Sequence, residues 1–201
     1  MQHILSTKEI TTYNQKWENE QGIKHSTPIF GTYNSYKALH DEIKKRTIEI
    51  PVNKNDLIKT IQMIHHWGGS TGRYFMINRK GGSYLEQFKA NPNQIKIYRE
   101  ACKQASLSNP EAFHLFCNIK GIGPSFAGKH AYFWSPSKNP LVIIDKYIAH
   151  YFDANNAKEL LQKKKGYSKT IELFNNLKKE HKVNSILVIE RGIFQYMKEN
   201  K

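Results

Sequence analysis

The residues with the clearest chemical potential form the segment Lys120-Gly121-Ile122-Gly123-Pro124. Helical patterns flank it at 111–119 and 125–134, so a helix-hairpin-helix is predicted. A glycine can take the positive φ that ends the first helix, and Pro124 suits the first position of the second. Amides left bare at a helix N-terminus bind anions, and glycines let a phosphate come close. We therefore predict a contact with a nucleic-acid backbone that reads no sequence, made by Lys120, Gly121, Gly123 and Ser125. A simple tight turn between two helices would use the same residues.

A second candidate is the glycine-rich stretch Trp67-Gly68-Gly69-Ser70-Thr71-Gly72-Arg73-Tyr74-Phe75. Arg73 can pair with a phosphate, and the aromatic rings of Trp67, Tyr74 and Phe75 can sandwich a base. A structural turn with its aromatic residues in the core explains the stretch equally well. Another turn is predicted at Lys80-Gly81-Gly82-Ser83.

The charge balance indicates a polyanionic partner. The chain has 31 Lys and Arg against 17 Asp and Glu, a formal net charge of +14. Such a surplus is typical of nucleic-acid-binding proteins. A lysine-rich protein with a solvated surface would show the same excess, so charge alone does not decide. The run at 163–165 has the same two interpretations, a solvated face or a phosphate contact.

Cysteine and histidine usage argues against a metal centre. Cys102 and Cys117 form no C-x-x-C pair, and two cysteines are too few for a four-cysteine iron–sulfur cluster. His65 and His66 are adjacent on a predicted helix and so face different ways. We expect no metal and buried, reduced thiols.

No targeting or membrane segment is expected. The first residues lack the apolar core of a signal peptide. No window of about 18 apolar residues exists for a membrane span. The expectation is a soluble, cytoplasmic monomer.

The element pattern predicts an all-α protein with two small lobes that share a cleft. The first 53 residues are polar, with one helix at 35–45. Further helices are predicted at 56–67, capped by Asn55 or Asp56, and from Asn91-Pro92 to 105. Asn109 is predicted to cap the first hairpin helix, with Pro110 at its first position. After the hairpin come the apolar run 140–144, which has the character of a short strand, and helices at 146–152, 155–164, 168–181 and 183–197.

The stretch Gly-Ile-Gly-Pro-Ser-Phe-Ala-Gly-Lys-His-Ala at 121–131, followed by the apolar run that ends in Asp145, resembles the helix-hairpin-helix (HhH-GPD) DNA glycosylase superfamily. Asp145 follows Gly123 by about twenty residues, the spacing at which that family carries an essential aspartate. The closer likeness is to 8-oxoguanine DNA glycosylase-like proteins, and it is specific over about residues 90–152. It implies one two-lobed helical domain over 1–201, with the hairpin at about 111–134. A buried extended segment at 140–146 would deliver Asp145 to the cleft.

The resemblance also implies a nucleophilic lysine, and here the sequence departs from the pattern. The family's lysine sits two residues after the second hairpin glycine, where this chain has Ser125. Lys129 lies one turn further, and residues four apart share a helix face. Lys129 is thus the candidate nucleophile, or else a lysine at the edge of the core that reaches solvent. Asp145 is the candidate catalytic carboxylate, or only the N-cap of the helix that starts at Lys146.

The implied chemistry is excision of a flipped base from double-stranded DNA. Asp145 would stabilise the oxocarbenium-like sugar or activate a water, and Lys129 would form a Schiff base that permits strand cleavage. Phe133 and Trp134, with Phe126, would wall the site. His130 is interpreted as a core histidine, with a proton shuttle as the alternative. No cofactor is expected, although the resemblance leaves open a structural monovalent cation at the hairpin.

Three functions stay open at this point. The resemblance favours removal of 8-oxoguanine, with or without lyase activity. A defence enzyme that removes a substituted or glucosylated cytosine from phage DNA is an alternative of the same class. A non-catalytic module that binds DNA backbone is the alternative from another class, and it would have no need of a carboxylate beside DNA.

Overall fold

The structure, a computed structural model, describes residues 4–26, 29–77 and 82–200. Over these ranges the protein is helical, with an isolated bridge between Ile29 and Tyr33 in place of any strand. The helices are α1 Thr7–Gly22, α2 Tyr36–Arg46, α3 Lys54–Trp67, the 3₁₀ helix η1 Ser70–Phe75, α4 Tyr84–Ala90, α5 Pro92–Ser106, α6 Glu111–Cys117, α7 Pro124–Trp134, α8 Lys146–Tyr151, α9 Ala157–Lys163, α10 Tyr167–Glu180 and α11 Ile186–Glu199. The predicted all-α class is confirmed.

The chain divides into two compact units. One unit is Gly22–Leu141 and holds α2 to α7, including the hairpin. The other joins Met1–Gln21 to Val142–Lys201 and holds Asp145. The cleft predicted between the hairpin and Asp145 remains a prediction.

In the hairpin unit, side-chain caps set where helices begin. The Ser35 hydroxyl accepts a hydrogen bond from the Ala38 amide at 3.1 Å and starts α2. Helix α5 begins at Pro92, as predicted from the Asn-Pro pair, and Asn91 is its N-cap. Helix α5 packs against both α6 and α7. The core between them is aromatic, with Tyr98, Phe116 and Trp134 fully buried.

In the Asp145 unit, α11 packs against α8 and α10. The first helix, α1, joins them through Ile10, whose carbonyl oxygen would lie 2.6 Å from a Cβ added at Gly192. Charged contacts add to this packing, including Lys16 with Glu199 at 2.8 Å. The sequence analysis missed α1, because Ile10 is its one buried residue and no apolar stripe marks the helix.

Other predicted boundaries shift. The N-cap of α3 is Asn53, so the predicted caps at Asn55 and Asp56 are wrong. Asn109 does accept a hydrogen bond from the Glu111 amide at 3.0 Å, although the helix begins at Glu111 and not at Pro110. The glycine-rich stretch after Trp67 forms η1, and α4 was not predicted. The turn predicted at 80–83 begins outside the described residues.

Candidate active site

The turn between α6 and α7 contains the predicted glycine of positive φ, and Pro124 opens α7 as predicted. The glycine does not end the first helix, however, because α6 stops at Cys117 with Asn118 as its C-cap. Gly121 has φ +90°, and a Cβ added there would lie 2.5 Å from Cγ of Tyr84. Only glycine satisfies both the backbone and the close ring. Gly123 is the N-cap of α7 and has ordinary φ of −83°, and a Cβ added there would meet nothing within 4 Å. The space around Gly123 is therefore open to a ligand.

The hairpin amides divide into bonded and open groups. The Lys120 amide donates to Oε1 of Gln94 at 3.0 Å. The Phe126 and Ala127 amides donate to the Gly123 carbonyl. Within the described part of the chain, no acceptor is found for the amides of Gly121, Gly123 and Ser125. These N–H groups, one in the turn and two at the start of an eleven-residue helix, have the character of an anion site, and contact with DNA through them stays a prediction.

Lys129 lies in a defined environment on α7. The residue is 9% exposed, and its Nζ donates to Oγ of Ser125 at 3.0 Å. The same nitrogen lies 4.9 Å from the centroid of the Phe126 ring. A Cβ added at Gly68 would lie 2.7 Å or less from two atoms of that ring and 3.3 Å from Cδ of Lys129. The bare backbone at Gly68 thus makes room for both side chains.

A stack of three aromatic rings stands beside Lys129. The His65 imidazole lies between Phe75, at 4.2 Å and 11°, and Phe126, at 4.6 Å and 6°. This stack connects α3, η1 and α7. It was not predicted, because nothing in the sequence pairs a histidine on one helix with phenylalanines 10 and 61 positions away.

Four buried polar side chains form a hydrogen-bonded relay behind the stack. Trp134 Nε1 lies 3.1 Å from the Tyr98 hydroxyl, which lies 2.9 Å from His130 Nδ1. His130 Nε2 lies 3.3 Å from His65 Nε2. Because an indole N–H only donates, the Tyr98 proton points to His130, and His130 then donates to His65. This logic assigns both imidazoles as neutral tautomers.

The electrostatics agree with neutral histidines. Burial lowers the pKa of His65 to about 3, and the charge of Lys129 acts in the same direction. Burial likewise lowers the pKa of His130 well below its usual value, with His65 and Lys129 adding to the effect. His130 is therefore a core histidine, as the first interpretation held. Nδ1 of His65 lies near the Gly72 backbone, in a geometry too poor for a regular hydrogen bond.

The predicted base-pocket residues divide into core and surface groups. Phe75, Phe133 and Trp134 are 2%, 1% and 2% exposed, so their rings offer no face to a base. Phe133 and Trp134 lie on the stretch of α7 that is buried continuously from Ala127 to Trp134, and Phe75 is stacked on the buried His65 ring. Trp67 is half-buried, with its ring edge-on to Phe133 at 4.9 Å.

Arg73 and Tyr74 lie at the surface, and the Tyr74 residue is 58% exposed. Both side chains are accessible to a nucleic acid. Their contact with DNA stays a prediction.

Asp145 follows a buried extended segment, as predicted. Leu141 to Ile144 are buried without forming a strand, and the Val142 carbonyl accepts a hydrogen bond from the Tyr167 hydroxyl at 2.6 Å. Asp145 is the N-cap of α8: its Oδ1 accepts from the amides of Tyr147 and Ile148 at 2.9 and 3.1 Å.

The helix-cap interpretation of Asp145 is thereby confirmed. No donor to Oδ2 occurs among the residues that the structure describes, and the side chain is half-buried. The carboxylate is held by one oxygen, which leaves the other for a substrate. Its catalytic role stays a prediction.

Lys44 is a further residue that sequence reasoning missed. Its Nζ donates to the carbonyls of Tyr132, Phe133 and Ser135 at 2.7, 3.3 and 3.1 Å. These carbonyls close the C-terminal end of α7, so a cation from α2 holds the helix that carries Lys129. The sequence contains no signal for this long-range contact.

Two features are absent from the described residues. Among them no helix is long and apolar enough to cross a membrane. Nor do three or more His, Cys, Asp or Glu side chains in these ranges come together as a potential metal site.

Comparison with known proteins assigns the family. Residues 6–194 match the family described as "Putative 8-oxoguanine DNA glycosylase OGG-like protein". No curated protein and no solved structure matches the chain. Because the match covers nearly all of the chain, the protein belongs to this OGG-like family, and its general function is that of a DNA glycosylase.

Proposed function

We propose that this member of the OGG-like family excises 8-oxoguanine from double-stranded DNA and that it is also an AP lyase, with Lys129 as the nucleophile and Asp145 as the catalytic carboxylate. One observation supports the lyase most directly. The Lys129 residue is only 9% exposed, and its amine is bonded to Ser125, in the first turns of the helix whose open amides suit a phosphate.

DNA binding would begin at the hairpin. Open amides of Gly121, Gly123 and Ser125 would hold one phosphate, with Lys120 exposed beside them. Extrusion of the base costs a few kcal/mol. Backbone contacts that form only on the distorted duplex would offset this cost.

Bond cleavage would use Asp145 and Lys129. Departure of the base takes the electron pair of the N-glycosidic bond and leaves positive charge on the sugar. The free Oδ2 of Asp145 would stabilise that charge. The neutral Lys129 amine would add its lone pair to C1′ and lose a proton, and ring opening would give the Schiff base. Loss of the C2′ proton would then expel the 3′ phosphate by β-elimination.

The neutral form of the amine is needed for attack. The burial of Lys129 withholds water, which disfavours the charged ammonium, whereas the face of the Phe126 ring under the nitrogen favours it. His65 and His130 would not supply a competing proton, because burial lowers the pKa of both imidazoles.

The first test separates excision from binding. Asp145→Asn keeps an oxygen that can cap α8, so we expect an intact fold, DNA affinity equal to or above that of the wild type, and base release reduced at least about 10²-fold. Released bases would be identified by mass spectrometry from oxidised, deaminated, methylated and cytosine-modified duplexes.

The matched control is Asp153→Asn, an exposed aspartate in the same unit. Release of a modified cytosine in place of 8-oxoguanine would replace the proposed substrate. If no duplex yields a base while binding persists, the protein is a backbone-binding module.

The second test concerns the nucleophile. Lys129→Gln should abolish the covalent protein–DNA adduct that borohydride traps on a duplex with one abasic site. Lys138→Gln, at an exposed position outside the site, should trap as the wild type does. An unchanged adduct in Lys129→Gln would assign the nucleophile to another residue.

A further inference from the structure

Ser125 presents two polar groups in two directions. Its amide belongs to the open set at the N-terminus of α7, and its Oγ accepts an N–H from Lys129 at 3.0 Å. The spacing of four residues places both side chains on one helix face. One residue therefore connects the phosphate site to the amine.

The position of the amine is unusual for a helical lysine. A lysine at the edge of a core normally extends its chain toward water. Lys129 is instead 9% exposed, and its amine turns back along α7 toward the helix start. Phe126 lies under the nitrogen at 4.9 Å, and the bare backbone of Gly68 admits the side-chain stem.

The titratable neighbours of Lys129 do not compete for this orienting role. His130 accepts a hydrogen bond from Tyr98 at Nδ1 and donates one to His65 from Nε2. The Nε2 atom of His65 is therefore occupied as the acceptor of that bond. The direction of the relay is set from Trp134, which can only donate. Neither histidine therefore has an Nε2 lone pair to offer the amine.

From this geometry we infer that Ser125 is a positioning residue for Lys129, an inference that rests on the proposed function. Its Oγ holds one N–H of the amine and so turns the nitrogen lone pair toward C1′ of the nucleotide. Its amide holds the phosphate, so the same residue positions both the nucleophile and the DNA backbone. The distance between phosphate and amine is thereby set within a single helical turn.

Ser125→Ala separates the two roles, because it keeps the amide and removes Oγ. The reaction is borohydride trapping on a duplex with one abasic site, followed under single turnover over a range of protein concentrations and from pH 6 to 9. We expect the rate at saturation to fall about tenfold, the effect of one lost hydrogen bond, with half-saturation unchanged. Because Oγ also stabilises the ammonium, the midpoint of the pH profile should move to lower pH.

Two control variants are measured alongside Ser125→Ala. Ser125→Thr restores the hydroxyl and should recover most of the saturating rate. Ser106→Ala removes an exposed hydroxyl that bonds the Lys103 carbonyl in α5 and should behave as the wild type. Thermal unfolding of each variant verifies the fold, and DNA affinity is measured with a duplex that carries a tetrahydrofuran abasic analogue.

Each outcome distinguishes the positioning role of Ser125 from another explanation. A wild-type saturating rate in Ser125→Ala overturns the inference and leaves the proposed nucleophile intact. Loss of rate in proportion to loss of affinity, with Ser125→Thr equally impaired, would make Ser125 part of the phosphate contact only. Unaltered trapping in Lys129→Gln would instead overturn the proposed function itself.

Discussion

At the scale of single residues, burial decides which ionisable groups can act. His65 and His130 are enclosed and joined by a hydrogen bond, and burial lowers the pKa of each. A hydrogen-bonded pair of neutral imidazoles can rigidify a core. We interpret the pair as structural support for the wall of the Lys129 site, not as proton carriers.

This arrangement predicts a pH-dependent stability. In the unfolded chain both histidines take up a proton near pH 6.5, whereas folded His65 does so near pH 3. The unfolded state therefore binds more protons between these values, and the free energy of unfolding falls as the pH drops through this window. Each histidine should contribute about 1.4 kcal/mol per pH unit.

Urea denaturation at pH 7, 6 and 5 measures this dependence. His65→Phe, which can keep the ring stack, should be less stable at pH 7 by about 1–3 kcal/mol because it leaves the His130 N–H unpaired. The same variant should show roughly half the wild-type pH slope. A stability that is constant from pH 7 to 5 would contradict the neutral assignment.

The two hairpin glycines predict contrasting variants. Gly121→Ala forces alanine into φ +90° and against Tyr84, so we expect a loss of stability above about 1–2 kcal/mol. Gly123→Ala meets open space and should cost less than about 1 kcal/mol. Its methyl group should nevertheless obstruct a phosphate and weaken DNA binding about tenfold. Equal DNA affinity of Gly123→Ala and the wild type, measured by anisotropy, would place the phosphate elsewhere.

At the scale of elements, the C-terminal end of α7 is held by another helix of its unit. Its N-terminus follows Gly123, and its C-terminal carbonyls bind Lys44 of α2. The Lys44 amine also lies 4.2 Å from the centroid of the Tyr132 ring. A cation at a helix C-terminus is favourable for the helix dipole as well as for the orphan carbonyls.

Removal of this cation should loosen α7. Lys44→Met leaves three carbonyls without the amine, and we expect the free energy of unfolding in urea to fall by about 2 kcal/mol. Lys45→Met makes the same charge change at an exposed neighbour and should change stability by less than about 0.5 kcal/mol. Equal stability of the two variants would show that the Lys44 contacts contribute nothing.

At the scale of the whole molecule, net charge sets the long-range interaction with DNA. A formal charge of +14 attracts a polyanion before any specific contact forms. The surplus is spread over both units, with Lys120 and Arg73 exposed in one and the run 163–165 in the other.

Binding to undamaged duplex should therefore weaken steeply with salt. The log–log slope of affinity against salt should change by about 0.9 for each phosphate neutralised. Lys120→Gln should reduce the magnitude of that slope by about 0.9, the effect of one lost phosphate contact, whereas Lys138→Gln should not alter it. An affinity that does not respond to salt would be inconsistent with a DNA-binding function.

The features that could be predicted from the sequence depend on short-range patterns of residues. The starts of α2 and α5, the glycine of positive φ at Gly121, and the cap at Asp145 all depend on residues within about four positions of each other. The likeness of Lys129 to a family lysine was also readable, since residues 125 and 129 share a face whatever surrounds them. Helix α1 escaped prediction because its contacts are with α11, far away in the chain.

The sequence by itself determined the helical class, the hairpin, the extended approach to Asp145 and the family. Only the tertiary structure decided that Phe75, Phe133 and Trp134 are core residues and that His65 is stacked and neutral. The physical reason is the range of the interactions. Hydrogen bonds of caps and turns join near neighbours, whereas burial and ring stacking depend on which distant segments meet, and no local pattern specifies them.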